Sequence, residues 1–288
     1  MKKPAALDPI WLSGESGEGL IDLRLHATRL CFVAGELGVR CGDERWSAVS
    51  ENLHLAASLH NLEADTDLTG NNYMCRTAAE YDEALSTLSE RHLAGIIVFN
   101  LCWSAYEGGV ELASGLVRGH QPKGALGRDI LRSRHGDAHF PYLRQCLFAS
   151  MNFIQPGKFE MPETRAMIRD GKLAAVAAEL LRSFRNDVAH GSLPRPEPED
   201  WGEMSKYRVD DDPAILKFHH HVRLLLVLIQ IMILQTDAIL TELSQLTEEW
   251  APTKDVVTLL HCAECQIEDE EDAPELDLGL PRLAFSRF

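Results

Sequence analysis

Arg182, Arg185, Asn186, Asp187 and His190 crowd into one short stretch, Leu180-Leu181-Arg182-Ser183-Phe184-Arg185-Asn186-Asp187-Val188-Ala189-His190-Gly191. A guanidinium can hold a phosphate through paired N–H donors. An imidazole can take or give a proton, and a neighbouring amide can orient either partner. On a helix, Arg182, Asn186 and His190 are spaced by four and share a face, while Asp187, three residues before His190, lies within reach of it. Arg185 is rotated away, but its long side chain can swing toward the same end. The chemistry open to such a set is the gripping of an anionic ester and proton transfer beside it. A helix end that only had to pack would carry solvated Lys and Glu instead.

The element that positions these groups is legible. Leu173, Val176, Ala177, Leu180, Phe184 and Val188 recur at the i, i+3/i+4 spacing of a helix with one buried stripe. Gly191 stands where a left-handed C-terminal residue belongs, and Pro194 follows where a helix can no longer continue. The pattern predicts a helix from about Arg165 or Gly171 to His190.

Arg185-Asn186-Asp187-Val188-Ala189-His190 resembles the signature of the HEPN superfamily, an Arg and a polar residue followed a few positions later by His, and Phe184 and Gly191 fit its usual surroundings. A second stretch, Phe99-Asn100-Leu101-Cys102-Trp103-Ser104-Ala105-Tyr106-Glu107, resembles an upstream helix of such domains, with an acidic residue after an aromatic stripe. The likeness covers roughly residues 71–246. It implies an all-α fold, a HEPN-like helical bundle with an extra N-terminal helical segment, that forms a homodimer in which two motifs face one cleft.

The resemblance further implies a metal-independent endoribonuclease with no cofactor. His190 would be general base or acid, Arg185 would hold the scissile phosphate and Asn186 would orient one of them. Arg182, Asp187 and Glu107 would line the substrate site, Glu107 by bonding Arg185 from a neighbouring helix. Superfamily members commonly serve toxin–antitoxin or antiviral systems, so an antitoxin or regulatory protein is an expected partner beside RNA. Others have lost catalysis and bind nucleotide, RNA or protein, which is the alternative function here.

A net charge of −16 opposes nucleic-acid binding unless the basic residues gather locally. Arg182, Arg185, Arg195, Lys206, Arg208 and Arg223 cluster in sequence around the motif, and Arg128, Arg132, Arg134 and Arg144 form another group, so a basic cleft on an acidic body is expected. Residues 264–277 are heavily acidic. The stretch from Glu268 to Glu275 reads as disordered. The run from Glu268 to Asp277 is either a phosphate mimic shielding the cleft or a solubilising tail.

With 288 residues, 45% apolar and 25% charged, the chain has the composition of an ordinary globular protein. Lys2 and Lys3 are not followed by the apolar run of a secretory signal. Leu224 to Leu234, interrupted by Gln230, is too short to span a bilayer. Seven cysteines, an odd number without framework spacing, point to a reducing compartment. The expectation is a cytoplasmic protein without membrane attachment.

The chain divides into an N-terminal helical extension at 1–70, a HEPN-like domain at 71–250 and an acidic tail at 251–288. Helices are expected over Glu18–Val39, Ser47–Leu62, Thr77–Ser89, Leu93–Val117, Arg128–Arg134, Pro141–Phe153 and about Pro213–Leu246. A loop is expected over Gly119–Gly127, and Gly108-Gly109 permits close helix approach or a kink. His219-His220-His221 point in different directions on a helix, so they cannot share a metal and read as a polar first turn, one of them able to approach a phosphate near His190. His261-Cys262-Ala263-Glu264-Cys265 is half a zinc spacing with no second pair, so no metal site is expected.

Overall fold

The computed structural model describes residues 19–60, 62–64, 66, 76–115, 122–134, 140–153, 161–198, 207–236 and 257–262. It is all-α. The helices are α1 (Leu23–Cys41), α2 (Glu44–Ser58), α3 (Arg76–Ser114), α4 (Lys123–Arg134), α5 (Leu143–Met151), α6 (Pro162–Arg169), α7 (Leu173–Ala189) and α8 (Pro213–Leu234), with a 3₁₀ turn at Val209–Asp211. Among the described residues the β pairing is an isolated bridge between Leu20 and Cys262. The expectations for Cys75, Lys206, Cys265, the continuation of α8 to Leu246 and the acidic stretch lie outside the described residues.

Local chemistry sets the helix ends. The Asp22 carboxylate accepts from Leu25 N at 2.8 Å and starts α1. Gly42, at φ 61°, ends it, and Asp43 begins α2 by accepting from Arg45 N. Asp212 does the same for α8, accepting from Ala214 N at 2.8 Å with Pro213 at the first helical position.

Tertiary order follows from the apolar faces. α1 packs on α2, α2 on α3, and α3 runs along α8. α4 and α6 pack on α7, and α7 in turn rests on α8 and α3. α8 is buried almost all round from Ile215 to Ile233 and forms the centre of the bundle. Gly108-Gly109 allows close approach: a Cβ at Gly108 would stand 2.7 Å from Val49 Cγ2 of α2, and one at Gly109 would stand 3.4 Å from Met232 Cβ of α8. By length and composition α3 and α8 could each cross a membrane, but 56% and 78% of their apolar windows are already buried within the fold.

Several boundaries differ from expectation. The two helices expected over Thr77–Ser89 and from Leu93 are one continuous helix to Ser114, because Arg91 pairs with Asp210 at 3.3 Å and the His92 ring meets Phe218 edge-on, so the polar junction is held by tertiary partners. α4 begins at Lys123 inside the expected loop, with its glycines serving packing instead of a turn. The expected helix leading to His190 is two helices. Gly171, at φ +71°, closes α6 with Gly171 N bonded to Ile168 O and Lys172 N to Met167 O.

Candidate functional site

The last turns of α7 are fixed from below by Phe184. Its ring is 2% exposed and meets Phe99 edge-on at 4.8 Å, Phe218 at 5.4 Å and His221 at 4.2 Å between centroids. Phe218 reaches this cluster because Gly95 leaves room; a Cβ there would stand 2.7 Å from Phe218 Cγ. Lys217 Nζ lies 5.1 Å from the Phe184 centroid, which brings a cation from α8 to the base of the motif. That lysine was not anticipated, because only the fold brings residue 217 beside residue 184.

Above this anchor the helix ends as its sequence predicts. His190 is the cap residue, Gly191 adopts φ +64°, Gly191 N donates to Val188 O and Ser192 N donates to Asp187 O at 2.9 Å. These two bonds define a Schellman turn. Arg185 and Asn186 are half-buried and His190 is exposed. Among the described residues none of their three side chains forms a hydrogen bond or ion pair with the protein, so all three keep their donors and acceptors available. Asp187 is half-buried, and no hydrogen bond joins it to His190.

Arg182 and Glu107 behave differently. Arg182 Nε donates to Glu179 Oε2 at 3.0 Å and its Nη2 donates to Glu179 Oε1, a two-point grip. Arg128 from α4 adds a third bond to Glu179 at 3.3 Å. Glu107 accepts the Trp103 indole N–H at 2.9 Å within α3; it does not bond Arg185. The i, i+4 spacing of Trp103 and Glu107 gives that bond a local partner without any rearrangement of neighbouring helices. Arg182 and Trp103 meet over Gly124, where a Cβ would stand 3.3 Å from each, so the Arg182 stem, the indole and the Glu107 carboxylate that holds it lie at one α3–α4–α7 junction.

The basic cluster is smaller than its sequence spacing implies. Arg223 is buried and donates to Ile21 O, so it adds nothing to a surface field. Arg195 reaches Ser89 Oγ at 3.3 Å. His219 and His221 are not a polar first turn: both are buried, and burial pushes each imidazole down to about 3. His221 Nδ1 donates to Lys217 O at 2.7 Å, and its ring packs on Phe184, which places it beneath the motif as a neutral packing group.

The arrangement therefore offers one guanidinium, one amide and one imidazole, all without side-chain partners among the described residues, at a rigidly capped helix end. A tethered guanidinium stands to one side with its charge matched by Glu179. Comparison with protein-family models, curated proteins and solved structures finds no match to this chain.

Proposed function

We propose that the chain is a metal-independent endoribonuclease of the HEPN type. Arg185 grips the scissile phosphate and stabilises the charge that builds on its oxygens. His190 removes the proton from the ribose 2′-hydroxyl or delivers one to the departing 5′-oxygen. Asn186, one turn before His190 on the same face, orients the imidazole or the phosphate. Attack of the 2′-oxygen on phosphorus breaks the P–O5′ bond and yields a 2′,3′-cyclic phosphate and a 5′-hydroxyl end.

The observation that carries the proposal is the availability of Arg185, Asn186 and His190 together, with no side chain among the described residues occupying any of them. His190 in a single chain faces water, where general catalysis is weak. A second copy bringing its own motif across a cleft would exclude that water and supply a second imidazole, so the homodimer is part of the proposal. A role in defence or in a toxin–antitoxin pair belongs to the same reading and rests on the motif alone.

The test is cleavage of single-stranded RNA in excess EDTA by the wild type, Arg185→Ala and His190→Ala. The expected result is cyclic-phosphate product from the wild type and a loss of at least about a hundredfold in either variant. Activity that vanishes in EDTA, or survives both substitutions, removes the mechanism.

The charge balance favours a second reading. Glu179 on Arg182 and Asp129 on Arg128 neutralise the α7 and α4 arginines that would otherwise draw in a polyanion. A non-catalytic module binding a nucleotide, RNA or protein at Arg185 and His190 fits that balance, and equilibrium binding without product would select it.

A further inference from the structure

Residues 257–262 return to the bundle and close over the seam between α1, α5 and α8. Val257, Leu260, His261 and Cys262 are all buried. Val257 and Leu260 join the apolar core, and polar contacts fasten the strap's backbone. Gln230 of α8 donates from Nε2 to Val257 O. Arg29 of α1 donates to Leu260 O at 2.9 Å. Ile21 N donates to His261 O at 3.1 Å, and His261 Nε2 donates to Pro141 O at 3.0 Å. The His261 ring stacks on Phe140 at 5.4 Å and meets Tyr142 edge-on at 6.0 Å.

His26 of α1 completes the fastening. Gln230 spends its amide N–H on the strap, so its oxygen accepts from His26 Nε2 at 2.9 Å. The two imidazoles therefore each carry their single proton on Nε2. Each keeps a bare Nδ1 lone pair that is buried and has no hydrogen-bond partner. Their ring centroids are 5.7 Å apart. The next proton to enter either ring must land on one of these atoms.

Among the described residues, the charges that bear on the two rings are cationic. α1 contributes Arg29 and α8 contributes Arg223, whose charge bears on both rings. His219 and His220 of α8 also face Arg223. α5 contributes the Cys146 thiol, which burial pushes up to about 11 and keeps neutral at ordinary pH, and the strap adds the Cys262 thiol beside His261. The nearby carboxylate, Asp22, faces Arg223 and is committed to capping α1. Charging either imidazole sets a cation against Arg223 and the other ring, and among the described residues the nearby carboxylate is already committed.

We propose that residues 257–262 form an acid-released strap, opened by protonation of His26 and His261 at their bare Nδ1 atoms while the rest of the bundle stays folded. The strap is closed at neutral pH, where both rings are neutral and all its carbonyl contacts stand. Acidification favours the open form, in which each ring can charge in water.

The direction of the linkage follows from burial. Both rings are held below the ordinary 6.5, chiefly by burial and next by the neighbouring cations, His261 to about 4. With His261 at about 4 in the closed form and 6.5 in the open form, the open-to-closed ratio rises roughly 30-fold between about pH 7.5 and pH 5 from that ring alone.

The experiment is amide hydrogen exchange on the full chain, corrected for the intrinsic rate at each pH. The reporters are Ile21 N–H, which bonds His261 O, and Cys262 N–H, which bonds Leu259 O; the central amides of α7 serve as the reference. The expected result is a loss of protection of roughly 30-fold or more at both reporters between about pH 7.5 and pH 5, with both staying less protected than α7 throughout, and no such loss in a His26→Gln/His261→Gln variant. Reporters that exchange only at the level of α7, by unfolding of the whole bundle, overturn the proposal, as does a variant that opens on acidification as readily as the wild type. If glutamine fails to hold the strap even at neutral pH, the imidazole resonances of the wild type decide. Rings that take up protons over the same interval as the opening support the strap, and rings that stay neutral while it opens overturn it.

Discussion

The Phe184 ring meets the Phe99 ring edge-on, with centroids 4.8 Å apart and planes at 81°, directly beneath the turn that carries Arg185. The contact ties α7 to α3 at the one point where the motif needs a rigid base. Phe218 and His221 close the same ring from α8. Truncating Phe184→Ala empties a site bounded by three helices. A loss of about 3–5 kcal/mol in unfolding free energy is expected, measurable by urea titration. Phe184→Leu should lose distinctly less. Equal losses for the two would mean that the aromatic cluster does not anchor the helix end.

Gly191 supports the site by its backbone alone. It sits at φ +64°, and a Cβ built there meets nothing within 4 Å, so a substitution strains the chain without a clash. Gly191→Ala should cost about 1–2 kcal/mol, the usual penalty for a side chain in the left-handed region. Gly171 has the same conformation and the same open space at the end of α6, away from the motif residues. Gly171→Ala should match it in stability. If His190 is catalytic, only the Gly191 variant should also lower RNA cleavage. Matching activity in the two variants, at matched stability, would show that the Schellman turn does not position His190.

The last turns of α7 were legible because apolar spacing and a terminal glycine are local signals. What escaped was set by partners distant in sequence. The polar junction Glu90-Arg91-His92 reads as a break between helices, yet Asp210 and Phe218 hold it inside α3. Gly124 and Gly127 read as a loop; they sit in α4 because a Cβ at Gly127 would stand 2.3 Å from the Tyr106 hydroxyl and one at Gly124 would crowd Trp103 and Arg182. His219, His221 and Arg223 look solvated by composition and are buried by the packing of α8. Glu107 had its bonding partner, Trp103, four residues away on the same helix, and that short-range choice prevailed over a partner on another helix. Residue type shows what a side chain can do, and the competition among nearby partners decides what it does.

Glu179 restrains the positive charge beside the motif. Its carboxylate holds Arg182 by two bonds and Arg128 by a third, and all three side chains are partly exposed. Glu179→Gln should change stability by less than about 1 kcal/mol, as expected for solvent-screened pairs. If the adjacent surface receives RNA, the freed Arg182 guanidinium should tighten binding to a single-stranded RNA, while Arg128 stays paired with Asp129. The salt dependence should then steepen by about 0.7 for each new phosphate contact. Fluorescence anisotropy across a salt series in a His190→Ala background reads this without cleavage. An unchanged slope would mean that RNA does not track along Arg182.

His219 and His221 make the bundle acid-sensitive at its centre. Burial is the main cause that holds both imidazoles near 3 in the folded chain, against 6.5 when unfolded. The sign follows directly. Above about pH 6.5 both are neutral in either state and their contribution is intact; as pH falls below 6.5 the unfolded chain binds protons that the folded one refuses, and stability declines until the folded groups titrate. Each histidine should lower the folding equilibrium constant by up to about tenfold per pH unit in that window. His221→Phe removes one of them while keeping an aromatic ring against Phe184, at the expense of the Nδ1 bond to Lys217 O. Urea unfolding between about pH 6.5 and pH 5 should show a pH slope shallower by nearly one proton in this variant. A slope equal to that of the wild type would mean that His221 is not held neutral under Phe184 and that other groups cause the acid sensitivity.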